Sequence, residues 1–268
     1  MTTLSFCSDN MTLRRFWMLV DEMARMSLKA DASRFYLGYL WWVLEPLLYV
    51  AVFYVVFEVL LGTRRADFLV FLMCGKLTFI WFSKSVVHAS RSIVASKGLI
   101  GKIDLPKALF PMAVVQEGLY KQAAVFALLF GFLLLNGYAI GVHWLWLLPV
   151  LLVNYFMVVA GSLIAAFLVC LVFDFTIAIS MGMIFLLFTS GVFWDARALA
   201  TPEMTDWVLT LNPLAFVIDA YRQVLMVGVA PDLWHLAAVA AVTCLVIALM
   251  LYLLRKNSQF LALRAITS

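Results

Sequence analysis

Six apolar runs, each close to the length a helix needs to cross a bilayer, leave this chain few ways to fold. A hydrocarbon core about 30 Å thick takes about 20 helical residues, because every backbone polar group in lipid must find its partner within the segment. Cut at charged and turn-rich breaks, the runs fall at 37–61, 67–91, 111–135, 144–171, 176–194 and 233–254. Composition agrees: 66% of the 268 residues are apolar, 13% are charged and mean hydropathy is +1.04, where soluble domains hold about 45–50% apolar and about 25% charged residues. The sequence predicts an all-α membrane protein of six transmembrane helices.

The basic residues then set an orientation. The N-terminal segment (1–36) holds Arg14, Arg15, Arg25, Lys29 and Arg34, the loop at 92–110 with the residue before it holds Arg91, Lys97, Lys102 and Lys107, and the tail (255–268) holds Arg255, Lys256 and Arg264. Six spans put all three on one side, which the positive-inside rule assigns to the cytoplasm. The other side carries Arg64, Arg65, Arg197 and Arg222. A multi-pass membrane protein with both termini in the cytoplasm is expected, with a transmembrane domain at 37–254. No apolar stretch with a small-residue cleavage site precedes the first span, which predicts no cleaved signal peptide. Within 11–35, Phe16, Leu19, Val20, Met23, Met26 and Leu28 alternate at helical spacing with charges. That pattern suits a helix lying in the inner interface, or one packed as a cap on its own bundle.

Recognisable chemistry is scarce. Cys7, Cys74, Cys170 and Cys244 are far apart, and His88, His143 and His235 have no metal-ligand spacing, so no metal site is expected. "CGKLT" (74–78) and "GLIGKID" (98–104) lack the upstream glycine and the hydroxyl of a phosphate-binding loop. A net charge of +4, scattered along the chain, gives no reason to expect nucleic acid. The fifteen acidic residues are spread along the chain, which argues against the clustered catalytic groups of a membrane transferase. Lys84, His88 and Arg91 share one helical face near the inner end of the second span. Two readings apply: cations reaching the headgroups, or an approach for an anionic lipid-linked substrate. Glu117 and Lys121, four residues apart, form an expected pair inside the bundle.

Two stretches ask for partners. "SIVASKGLIGKIDLPKALFP" (92–111) carries more apolar residues than a solvated loop needs and is interrupted by Gly98, Gly101 and Pro106, so a docking surface is expected there. "RFYLGYLWWVLEPLLYVAVFYVVFEVLLG" (34–62) carries nine aromatic residues and sets Glu45 beside Pro46 inside a span. Tyr39, Trp42, Tyr49 and Phe53 fall within about one helical face, either lining a channel or packing the bundle. Glu45 facing lipid would be costly, so it is expected to point inward or toward a dimer axis.

At three of these stretches the sequence resembles a known family. "LGYLWWVLEPL" (37–47), "LIGKIDLPKALFP" (99–111) and "LNPLAFVIDAYRQVL" (211–225) are similar, in order and spacing, to signature stretches of ABC transporter permeases of the polysaccharide exporter branch. That branch moves lipid-linked O-antigen, capsule or teichoic-acid chains outward. The resemblance implies an N-terminal interface helix, six spans, a cytoplasmic coupling helix between spans two and three, and short re-entrant helices on the outer side (195–232). It further implies a homodimer bound to two copies of a separate ATP-binding subunit that carries the ATP and magnesium, with no cofactor in this chain. ATPase contact then falls on Lys97, Gly98, Ile100, Gly101, Lys102, Ile103, Asp104, Lys107 and Asp174, and channel lining on Tyr39, Trp42, Glu45, Tyr49 and Phe53. One departure stands out: an Arg-Asp pair common in relatives between spans four and five is Phe173-Asp174 here. A secondary transporter, which would show inverted repeats, and a membrane glycosyl- or acyltransferase are the competing classes.

Overall fold

The computed structural model describes residues 12–34, 36–60, 62 and 67–267, apart from the side chains of Phe53, Phe57 and Glu58. Twelve α-helices and no strand occur among them: α1 (Leu13–Arg34), α2 (Trp41–Tyr54), α3 (Phe68–Ser90), α4 (Ser92–Ala95), α5 (Lys97–Ile100), α6 (Leu109–Leu135), α7 (Leu147–Leu171), α8 (Phe175–Thr189), α9 (Pro202–Leu211), α10 (Pro213–Arg222), α11 (Leu233–Lys256) and α12 (Ser258–Thr267). Within the described residues, α3, α6, α7 with its leading 3-10 turn, and α11 are each long and apolar enough to cross a membrane.

The first and fifth expected spans depart from single long helices. Residues 37–61 divide into a 3-10 turn (Gly38–Leu40), α2 and a π-helical turn (Val55–Leu60). Pro46 inside α2 cannot donate to the carbonyl four residues back. The fifth run stops at Thr189 because the chain reverses at Gly191, whose φ of 68° lies in the left-handed region that glycine tolerates. Its 15 residues span about 22 Å at about 1.5 Å per residue, short of a full bilayer core.

The bundle is built around α3. That helix is largely apolar and buried along most of its length, the signature of a central helix. It packs against α7, α6, α10, α2 and α8. Gly161 lets α7 approach closely: a Cβ there would lie 3.0 Å from Val86 Cγ2 and 3.4 Å from the Phe82 ring, the small-residue contact on which membrane helices associate. The N-terminal helix α1 lays Val20 and Ala24, both fully buried, on α6, where the Tyr120 hydroxyl donates to Asp21. Trp17, Met18 and Met26 on α1 remain exposed, so it has both a bundle-packing stripe and an apolar surface.

At the far end from α1, two short helices fold back into the bundle. Thr201 accepts from Met204 N to start α9 at Pro202. Asn212 accepts from Leu214 N and Ala215 N to start α10 at Pro213. Each is a side-chain cap followed by proline in the first turn, which fixes a helix start. Asn212 also donates to Ser190 Oγ at 3.0 Å, tying the α9–α10 corner to the end of α8. Every residue of α10 from Leu214 to Arg222 is buried, against α3 and α7. At the α1 end, α12 closes over α5, α4 and α7.

Candidate functional site

A cavity of about 620 Å³ opens between α1, α2, α3 and α6. Proximity in the fold gathers charges that are remote in sequence: Asp31 and Arg34 from α1, Glu45 from α2, Lys84 and His88 from α3, and Glu117 and Lys121 from α6 all line it. Glu45 points inward, as the cost of a lipid-facing carboxylate demands, and lies 2.6 Å from Lys84 Nζ. Lys121 Nζ stands 2.6 Å from Glu117 and 2.5 Å from Asp31. The expected Glu117–Lys121 pair therefore forms, and α1 adds the second carboxylate. The expectation that acidic residues do not cluster is corrected here, since three converge on one cavity. The geometry is that of counter-ions, because each carboxylate lies within 2.5–2.6 Å of a lysine ammonium.

The cationic face predicted on α3 is only partly assembled. Lys84 and His88 line the cavity, whereas Arg91 lies in the exposed turn after Ser90 and does not. Lys84 is engaged by Glu45 rather than open to a substrate anion. The aromatic path is likewise divided. Trp42 lines the cavity beneath Lys121, with Nζ 5.5 Å from its ring, and Tyr39 meets Trp42 edge to face at 4.8 Å but lies outside the lining. Tyr49 turns toward Lys76, at 5.6 Å, and the side chain of Phe53 lies outside the described residues. Lys76 had no role in the sequence beyond an incomplete phosphate-loop pattern. In the fold it is buried, with the Phe79 and Phe193 rings also within 5.8 and 5.9 Å of its ammonium. A lone lysine in an apolar run was the available signal.

The docking segment is exposed where it turns. Lys97, Gly98, Gly101, Lys102, Ile103 and Asp104 face outward, and Ile103 exposes half of its surface (52%). Ile100 and Lys107 are corrected as surface contacts: both are buried. Ile100 belongs to the apolar core, and the Lys107 ammonium turns back to donate to the Leu105 carbonyl at 2.9 Å beside Asp104. Asp174 sits in the exposed turn between α7 and α8. The tail, read only as basic, forms α12 and braces this surface. Leu261 and Ala265 are fully buried, Cys170 Sγ contacts the Leu261 carbonyl at 3.5 Å, and Ile266 Cδ1 lies 3.8 Å from where a Cβ on Gly101 would be.

At the far end, Arg222 is buried rather than a loop charge. Its guanidinium donates to the carbonyls of Phe71 (3.3 Å), Gly191 (2.6 Å) and Val192 (2.9 Å) and lies 3.4 Å from the Phe71 ring centre. Gly75 makes the room, since a Cβ there would collide with the guanidinium. This removes one residue from the far-end positive charge, which sharpens the basic asymmetry between the two ends. Asp219 accepts from Arg197 at 3.0 Å and from Gln223 at 2.5 Å, and the bond to Asp219 raises the Arg197 guanidinium further above its ordinary pKa.

Fold and site together define a multi-pass, all-α membrane protein with a charge-paired, tryptophan-lined cavity at one end and an exposed, braced loop beside it. No family model matches the chain. It is similar to an O-antigen export system permease protein of Klebsiella pneumoniae, 26% identical over 213 residues covering 79% of this chain and 81% of that one. A second such permease of Klebsiella pneumoniae is 27% identical over 212 residues (78% and 81%), and one of Myxococcus xanthus 27% over 229 residues (84% and 86%). These relatives bear out the resemblance to polysaccharide exporter permeases that the three sequence stretches carry.

Proposed function

We propose that this chain is the membrane subunit of an ATP-driven exporter that moves a lipid-linked polysaccharide of the O-antigen type across the bacterial cytoplasmic membrane. The observation that carries the reading is similarity to three O-antigen export permeases over about four-fifths of the chain. The chain works as a homodimer and hydrolyses no ATP itself; two ATP-binding subunits dock on its cytoplasmic side. The exposed residues of the turn Lys97–Asp104, together with Asp174, are the contact through which their closure is transmitted. Because α4 and α5 link α3 directly to α6, force on this turn acts on the two helices that wall the cavity. Interfaces and packed cores switch between discrete arrangements rather than deforming smoothly, so a small displacement there is enough to open a path. Trp42, Tyr39 and Tyr49 offer ring faces to the sugar chain.

Each of the three carboxylates of the cavity is bridged to a lysine, which weighs against a transferase that needs a carboxylate poised to exchange a proton. The test is co-purification. Isolated in mild detergent from its own cells, the chain should bring down an ATP-binding subunit in equal amount, and the assembly should hydrolyse ATP while the chain alone does not. Recovery of a homodimer that never holds such a subunit would rule the reading out.

A further inference from the structure

Resting on that reading, we infer that the cavity between α1, α2, α3 and α6 is a recognition site for sugar rings of the transported chain rather than for its phosphate link. Three observations converge.

The first is charge. Asp31, Glu45 and Glu117 face Arg34, Lys84 and Lys121 across the lining, and the two lysines are bridged to all three carboxylates at 2.5–2.6 Å. Such a surface offers donors and acceptors at fixed positions with little net field. A hydroxyl-rich neutral ligand can use both, whereas a phosphate must compete with a carboxylate for each of the two lysines.

The second is an orphaned donor. Trp81 is 3% exposed, lines the cavity, and its indole N–H finds no acceptor among the described residues. Buried donors in native proteins are almost always paired, because an unmade bond forfeits the solvation of the group. A hydroxyl-bearing ligand would supply the missing acceptor.

The third is shape. Gly118 lets α6 close on α3: a Cβ there would lie 2.6 Å from Ser85 Oγ and 3.9 Å from Trp81 Nε1. Gly118, Ser85 and Trp81 together border the cavity. Trp41 and Trp42 join the lining, amphipathic walls suited to the apolar faces of pyranose rings. The volume of about 620 Å³ falls in the roughly 300–1,000 Å³ range of small-ligand sites.

The test uses the full-length chain assembled with its partners in lipid nanodiscs. Two probes are titrated by calorimetry: short oligosaccharides released by mild acid from the source cells' own surface polysaccharide, and farnesyl phosphate. The oligosaccharide should bind. Trp81→Phe, which keeps the ring and removes the N–H, should weaken it roughly two- to tenfold, the range for one hydrogen bond, and Trp42→Ala, which removes one ring wall, should weaken it at least as much. Ser85→Ala, a smaller change, guards against a packing artefact and should also weaken it. Binding of farnesyl phosphate alone, binding of neither probe, or oligosaccharide binding indifferent to all three changes would each overturn the inference. The exporter reading is tested separately, by whether cells lacking the chain still display the polysaccharide.

Discussion

Glu45, beside a proline in the first apolar helix, and Lys84, in the second, are joined at 2.6 Å across the mouth of the cavity. Both side chains are about two-fifths exposed, 44% and 40%, so screening limits the bond to about 0–1 kcal/mol. Glu45→Gln should therefore cost little thermal stability. Its effect should fall on export per assembled dimer, and the swap Glu45→Lys with Lys84→Glu should restore part of it. Thermal melting of the purified variants beside an export assay separates the two effects; a large stability loss in Glu45→Gln would contradict the assignment.

Lys121 is the contrasting case. Its side chain is 24% exposed and that of Glu117 12%, and Lys121→Met leaves Glu117 and Asp31 without their shared cation. Breaking a buried pair costs about 3–5 kcal/mol; with the partial exposure discounted, a loss on the order of 2 kcal/mol is expected. Detachment of α1 should accompany it, read as faster proteolysis within 13–34. A variant as stable and as protease-resistant as the parent would show that the triad does not hold α1.

Arg222 should tolerate no replacement. Arg222→Met strands the carbonyls of Phe71, Gly191 and Val192, and Arg222→Lys cannot reach them with a planar fork. Both variants are expected to lose most folded protein, as judged by size-exclusion of the detergent-solubilised chain, with Lys only slightly better than Met. Full recovery by Lys would mean that charge alone matters at this position.

How much of this was legible beforehand follows from the range of the signals. Apolar runs are local, so α3, α6, α7 and α11 could be placed from their own residues, whereas the short helices α9 and α10 were expected only from the family resemblance and their starts rest on the Thr201 and Asn212 caps seen in the fold. The breaks in the first and fifth runs depend on Gly38, Gly191 and a π turn, which hydropathy averages away. The cavity was invisible for a different reason: Asp31 and Lys121 are 90 positions apart, and no periodicity links α1 to α6. Lys107 and Arg222 were misread as surface charges because a long side chain in a loop-like stretch can turn inward to carbonyls, a choice made by packing.

Coupling should be separable from folding at the exposed turn. Ile103→Asp alters only a half-exposed residue, and Gly101→Trp drives a ring into Ile266 and lifts α12. Both should insert and dimerise normally yet export poorly, and removal of residues 258–268 should reproduce the Gly101→Trp defect. Export at parental rates from Ile103→Asp, at equal protein level, would remove this turn from the transmission path.

Topology is open to a direct check. In a cysteine-free background, a single cysteine replacing Glu203 in α9 should react with a membrane-impermeant thiol reagent in intact cells, and one replacing Lys102 should react only after the membrane is opened. The reverse pattern would invert the orientation.

The central claim is best tested by deleting this chain's gene from its own cells and locating the polysaccharide. Surface polymer should vanish while lipid-linked polymer accumulates on the cytoplasmic face, inaccessible to external glycosidase until the cells are permeabilised, and re-expression should reverse both. Undiminished surface polymer in the deletion strain, with no internal accumulation, would contradict the account.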